Sequence, residues 1–103
     1  MANITTTGFA TEATKITPSD NIIEANKLHG KAIYAGATGE ITVIMAGITE
    51  DDDGTPLSSA SAVTFKNVQA GTFLPIAVDY VLETGTNANF TGAGNAGTLL
   101  AIG

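Results

Sequence analysis

The chain has 103 residues, with four lysines, no arginine, ten carboxylates and no cysteine, and its length suits one domain. A formal charge of −6 at pH 7 without any basic patch excludes nucleic acid as a direct ligand, because neutralising phosphates takes clustered cations. Lacking cysteine, the chain has neither a disulfide nor a thiolate-held zinc to staple so small a core, which leaves assembly with other chains as a source of stability.

Residues 1–17 are rich in threonine and carry Ile4, Phe9 and Ile16 as their only large apolar side chains. β-Branched residues favour extended backbone, and this spacing is too sparse for a helix face. The segment reads as an extended N-terminal arm, with Ile4 and Phe9 as the residues that reach a neighbour. The start M-A-N-I-T-T-T lacks the charged and apolar regions of a signal peptide, and no apolar run approaches the ~20 residues of a membrane span. A soluble protein made in a cytoplasm, with no membrane partner, is the expectation.

Residues 18–103 read as a single β-domain. Thr17-Pro18-Ser19-Asp20 has turn chemistry, and Ser19 or Asp20 is suited to cap a short helical turn within Asn21 to Leu28. Lys31–Ala35 and Glu40–Ala46 alternate around the glycines of Gly36-Ala37-Thr38-Gly39, which predicts a hairpin. In its second strand Ile41, Val43 and Met45 point inward while Glu40, Thr42 and Ile44 point outward.

An acidic loop insertion occupies residues 48–61. Like charges at Glu50, Asp51, Asp52 and Asp53, followed by Gly54 and Pro56, oppose regular structure there. An EF-hand alignment of this loop puts Thr49 at the first ligand position and Ala60 at the closing one, so the calcium pattern fails at both ends. No metal and no cofactor are expected.

The run from Val63 to Glu83 predicts a second hairpin turning at Ala70-Gly71. Its long strand places Leu74, Ile76, Val78, Tyr80 and Leu82 on one side. Phe73, Pro75, Ala77, Asp79, Val81 and Glu83 fall on the other, a face suited to solvent or a partner, with Asp79 near Lys66. Thr84 to Gly97 is turn-rich, and Phe90 is its one packing or contact residue. Thr98 to Ile102 supplies a last strand. The expected fold is all-β, a compact β-sandwich or small β-barrel of five or six strands.

Catalytic signatures are weak throughout. Gly92-Ala93-Gly94-Asn95-Ala96-Gly97 spells a dinucleotide fingerprint, but no room for its helix follows. His29, the only histidine, stands in a turn with no serine singled out as its nucleophile. Tyr34 and Tyr80 read as strand-bound, and no tryptophan is present, so a carbohydrate platform is poorly supplied. A catalytic role is not expected.

Four stretches together carry a resemblance: T-P-S-D (Thr17 to Asp20), A-I-Y-A-G-A-T-G-E-I-T-V (Ala32 to Val43), V-T-F-K-N-V-Q-A-G-T-F-L-P-I-A-V (Val63 to Val78) and V-L-E-T-G-T (Val81 to Thr86). In this order they resemble the small β-rich virion proteins of tailed phages and gene transfer agents that serve as head spike bases or decoration proteins. The resemblance implies a non-enzymatic capsid decoration or cement protein on the head surface. Its implied partners are the major capsid protein and further copies of itself, in a trimer or a pentamer. A spike base at five-fold vertices, a tail or baseplate adaptor and a carbohydrate-binding β-module are the alternatives. Ile4, Phe9, Asp79 and Phe90 are the candidate contact residues.

Overall fold

The computed structural model describes residues 13–51, 54–91 and 98–103. They form an all-β domain of six strands: β1 (Ala13–Lys15), β2 (Lys31–Ala35), β3 (Gly39–Met45), β4 (Val63–Val68), β5 (Thr72–Leu82) and β6 (Leu99–Ile102). One short helix, α1 (Ala88–Thr91), precedes β6. The strands are hydrogen-bonded in the order β1-β6-β2-β5-β3-β4, antiparallel at every pairing.

β5 organises this order because its two ends serve different neighbours. Its first part, from Thr72 to Val78, pairs with β2, whereas Val78 to Leu82 pairs with β3. The change occurs at a bulge: Ile44 lies opposite Tyr80 and Met45 opposite Val78, which leaves Asp79 as the extra residue. A bulge bends a strand and lets it pass from one layer to the next. The sheet is thus sandwich-like, with β1, β6, β2 and the first part of β5 in one layer and the rest of β5 with β3 and β4 in the other. Pro75 fits the first part of β5, which is paired on one side only and so does not need its missing N–H.

The bulge also reverses the alternation of side chains. Leu74, Ile76, Val78 and Val81 share the main core with Ile33, Ala35, Ile41, Val43, Leu99 and Ala101, while Tyr80 and Leu82 pack on the opposite face against Ile44. The expectation that Leu74 through Leu82 keep one side is therefore corrected, since one extra residue shifts a period-2 pattern by a full face. Ile44 and Thr42, expected outward, are buried. Ile22, Leu57 and Ala62 from the flanking loops cover Ile44, Tyr80 and Leu82.

Neither predicted hairpin forms. β2 and β3 are separated by β5, and β4 and β5 are separated by β3. Each connection crosses between layers instead, and the two crossings lie together: the Thr38 hydroxyl accepts from Ala70 N at 3.0 Å and Gly71 N donates to the Ala35 carbonyl at 2.7 Å. Gly71 has φ +86, a left-handed conformation that glycine adopts without strain. The pairing that does join consecutive strands is β3 with β4, across the acidic loop. Asn67, with φ +58, sits where this register shifts, and it keeps Phe65 and Val68 both turned toward the core.

The boundaries of the arm also change. β1 pairs with β6, Ile16 N donates to the Leu99 carbonyl at 2.9 Å, and Ile16 is buried. Residues 13–16 accordingly belong to the domain. The helical turn expected after Ser19 is reduced to a 3-10 turn at Glu24–Asn26. Ser19 Oγ does hold this segment, accepting from Asn21 N at 3.2 Å and from the Asn26 side chain at 3.4 Å.

Adjacent residues of β2 should respond very differently to truncation. Ile33 is fully buried and Tyr34 is 36% exposed, so Ile33→Ala should cost about 2–5 kcal/mol. Tyr34→Ala should stay within about 0.5 kcal/mol. Urea unfolding of the two variants measures the contrast.

Candidate interaction surface

The outer face of the four-strand layer is built from the residues that alternate with the core. Cross-strand partners share a face, and the register aligns Lys15 of β1 with Leu100 of β6, Leu100 with Tyr34 of β2, and Tyr34 with Phe73 of β5. A second row brings Ala13, Ile102 and Ala32 together. Pro75 and Ala77 continue the outer face along β5 and are exposed. Phe73 is 51% exposed beside Tyr34, so two aromatic rings stand next to each other at the surface.

The charge on this face is as telling as its apolarity. β1, β6, β2 and the first part of β5 contain no carboxylate, although the chain carries ten. Lys15, at the β1 edge, is the cation in the Tyr34 row. A contiguous apolar sheet face cleared of acids in an acidic protein has the composition of a contact surface. A shallow groove of about 490 Å³ runs along it, lined by Lys31, Ala32, Phe73, Pro75, Ala77 and Ile102 among others.

The residues singled out from sequence lie elsewhere. Asp79 is buried at 7% exposure, and its carboxylate accepts from Gly30 N at 3.0 Å and approaches Lys27 Nζ at 3.9 Å. Its ionic neighbour is Lys27 and not Lys66, because the bulge turns Asp79 away from β4 and toward the segment entering β2. Phe90 is 3% exposed and packs in the main core. The Asn87 side chain accepts from Asn89 N at 2.9 Å at the start of α1, the turn that carries Phe90 inward. Ile4 and Phe9 lie outside the described residues.

Phe73 was readable as outward from alternation alone. Tyr34 was readable only as a strand residue, and its placement between Leu100 and Phe73 depends on pairings that no local pattern encodes.

Other polar groups are committed to structure. His29 Nε2 lies 2.8 Å from a Glu24 carboxylate oxygen, with both side chains largely exposed. The Asp20 carboxylate accepts from Thr84 Oγ1 at 2.6 Å and Thr84 N at 2.8 Å, and these bonds hold its pKa below the ordinary aspartate value. That pair borders a cleft of about 640 Å³ between residues 20–23 and 57–62, whose floor includes Thr42 and Leu82. The Thr42 hydroxyl is bonded to that of Thr64 at 2.8 Å.

Within the described part of the acidic loop, Asp51 is tied to its far end. Asp51 accepts from Ser58 Oγ and Ser61 Oγ, each at 2.5 Å, and from Ser58 N at 3.2 Å. The Ser58 hydroxyl bond, followed by that of Ser61, lowers the Asp51 pKa. Among the described residues, no three His, Cys, Asp or Glu side chains gather to hold a metal, and none of the helices is long and apolar enough to cross a membrane.

No protein-family model matches the chain, and no curated protein matches it.

Two predictions follow from these contacts. Asp79→Ala removes an acceptor for Gly30 N beside Lys27 and should destabilise by about 1–3 kcal/mol, with Asp79→Asn losing less, as read from chemical unfolding. Asp51 has a lowered folded-state pKa, so its contribution is complete at neutral pH and disappears as pH falls through the depressed value. Hydrogen exchange should show the Ser58 amide losing protection on acidification, and Asp51→Asn should show reduced protection already at neutral pH.

Proposed function

We propose that this protein is a structural component of a tailed-phage virion, a decoration or cement protein of the head that binds the major capsid protein and associates with its own copies. The observation that carries the reading is the acid-free outer face of β1, β6, β2 and β5, with Tyr34 and Phe73 exposed side by side. A small domain with such a face gains burial by joining a larger lattice. The resemblance of Thr17 to Thr86 to phage head proteins supplies the class of lattice. Association is the function, and no catalytic step is assigned to any residue.

The aromatic pair also gives a specific reason to keep a carbohydrate-binding module as the second reading, since sugars stack on exposed rings. A glycan array separates the two: binding that Phe73→Ala abolishes would favour the carbohydrate reading.

Reconstruction of virions that carry the chain tests the main proposal. Copies spread over the head surface are expected. Copies confined to five-fold vertices would make it a spike base, copies on the tail would make it an adaptor, and absence from the particle would overturn a virion role. Phe73→Ala and Tyr34→Ala proteins should remain folded and fail to join the head.

A further inference from the structure

We infer that the outer face of the four-strand layer pairs with the same face of a second copy about a two-fold axis running along the strands. This deepens the self-association part of the reading above and rests on it, with the paired copies meeting the capsid protein through surfaces outside this face. The inference begins from the order of side chains across the layer, which is Lys15, Leu100, Tyr34, Phe73. Adjacent strands lie ~4.8 Å apart, so the row spans about 14 Å from a cationic edge to an aromatic edge.

Two face-to-face arrangements have two-fold symmetry with the strands aligned. With the axis across the strands, each strand faces itself, so Lys15 never meets Phe73, and with the axis on this row Lys15 opposes Lys15, a like-charge contact in an apolar interface. With the axis along the strands, the row is reversed in the partner. Lys15 then stands over the exposed ring of Phe73, Leu100 meets Tyr34, and in the next row Ile102 meets Ala32. An ammonium over an aromatic face is attractive, and a large side chain over a small one allows the sheets to interdigitate.

Self-complementarity selects a second copy over another partner. The face supplies both halves of the contact, a cation at one edge and a ring at the other, and a two-fold operation brings them together twice. The absence of carboxylates from the four strand segments means that no acidic group on them opposes the apolar centre. Lys31 also lines the groove on this face but is not a member of the row of Lys15, Leu100, Tyr34 and Phe73.

Sedimentation velocity on the full chain, at concentrations up to roughly 100 μM, tests the pairing. The expected species is a dimer. Phe73→Ala and Lys15→Glu should each weaken it about tenfold, while the double variant Lys15→Glu with Phe73→Lys should recover it through two new ion pairs. Circular dichroism checks that each exposed substitution leaves the fold intact. A monomeric or trimeric wild-type protein overturns the inference, and so does a dimer that Lys15→Glu leaves unchanged or that the double variant fails to restore. Virion incorporation is scored separately, so a protein found on heads but monomeric in solution refutes the pairing alone, and a dimer absent from heads refutes the virion role alone.

Discussion

One extra residue in one strand governs this domain. Asp79 has no partner in β3, and around it β5 leaves β2 and joins β3. Without that insertion an eleven-residue strand would keep a single face toward the core, and Tyr80 and Leu82 would join Val78 instead of facing Ile44. With it, one strand belongs to two layers and the main core closes between them. The position is held chemically as well as sterically: the Asp79 carboxylate takes a bond from Gly30 N, and its carbonyl accepts from Leu28 N at 2.7 Å. The segment entering β2 thus continues along the same edge of β5, past the last pairing of β2 itself.

How much of this could be read from the sequence depends on the range of the interaction. The strands at Lys31–Ala35, Glu40–Ala46 and Val63–Glu83 were legible because alternation is local; the first has its observed limits, and the outer limits of the others differ by at most one residue. The pairings were not. Gly36 to Gly39 and Ala70-Gly71 carry turn residues that signal hairpins, yet both turns lead the chain from one layer to the other. Turn chemistry specifies that the chain reverses and leaves open which strand it meets. The bulge was hidden for a related reason, because Val78-Asp79-Tyr80 continues an unbroken alternation and a single aspartate in it reads as an outward polar residue.

The contact surface was legible by halves. Alternation placed Phe73, Pro75 and Ala77 outward, and that placement stands. Asp79 and Phe90 were chosen for being unusual in their surroundings, an aspartate amid apolar residues and an aromatic amid glycines, and both are unusual for internal reasons. Burial of Phe90 seats α1 against the main core, and Asp79 accepts from a backbone amide. The surface that is free to meet another molecule is ordinary in composition at each strand and distinctive only when four strands are laid side by side.

The crossed connections bear on how the polypeptide acquires its shape during synthesis. β1 lies near the start of the described chain, and its hydrogen-bonding partner is β6, more than eighty residues later. Ile16 likewise waits for Leu99. Until Leu99–Ile102 has emerged from the ribosome, β1 is an unmatched ribbon and the outer edge of β2 is bare. The nascent chain is consequently a candidate for chaperone custody, and its layer is completed only after translation has passed the last strand.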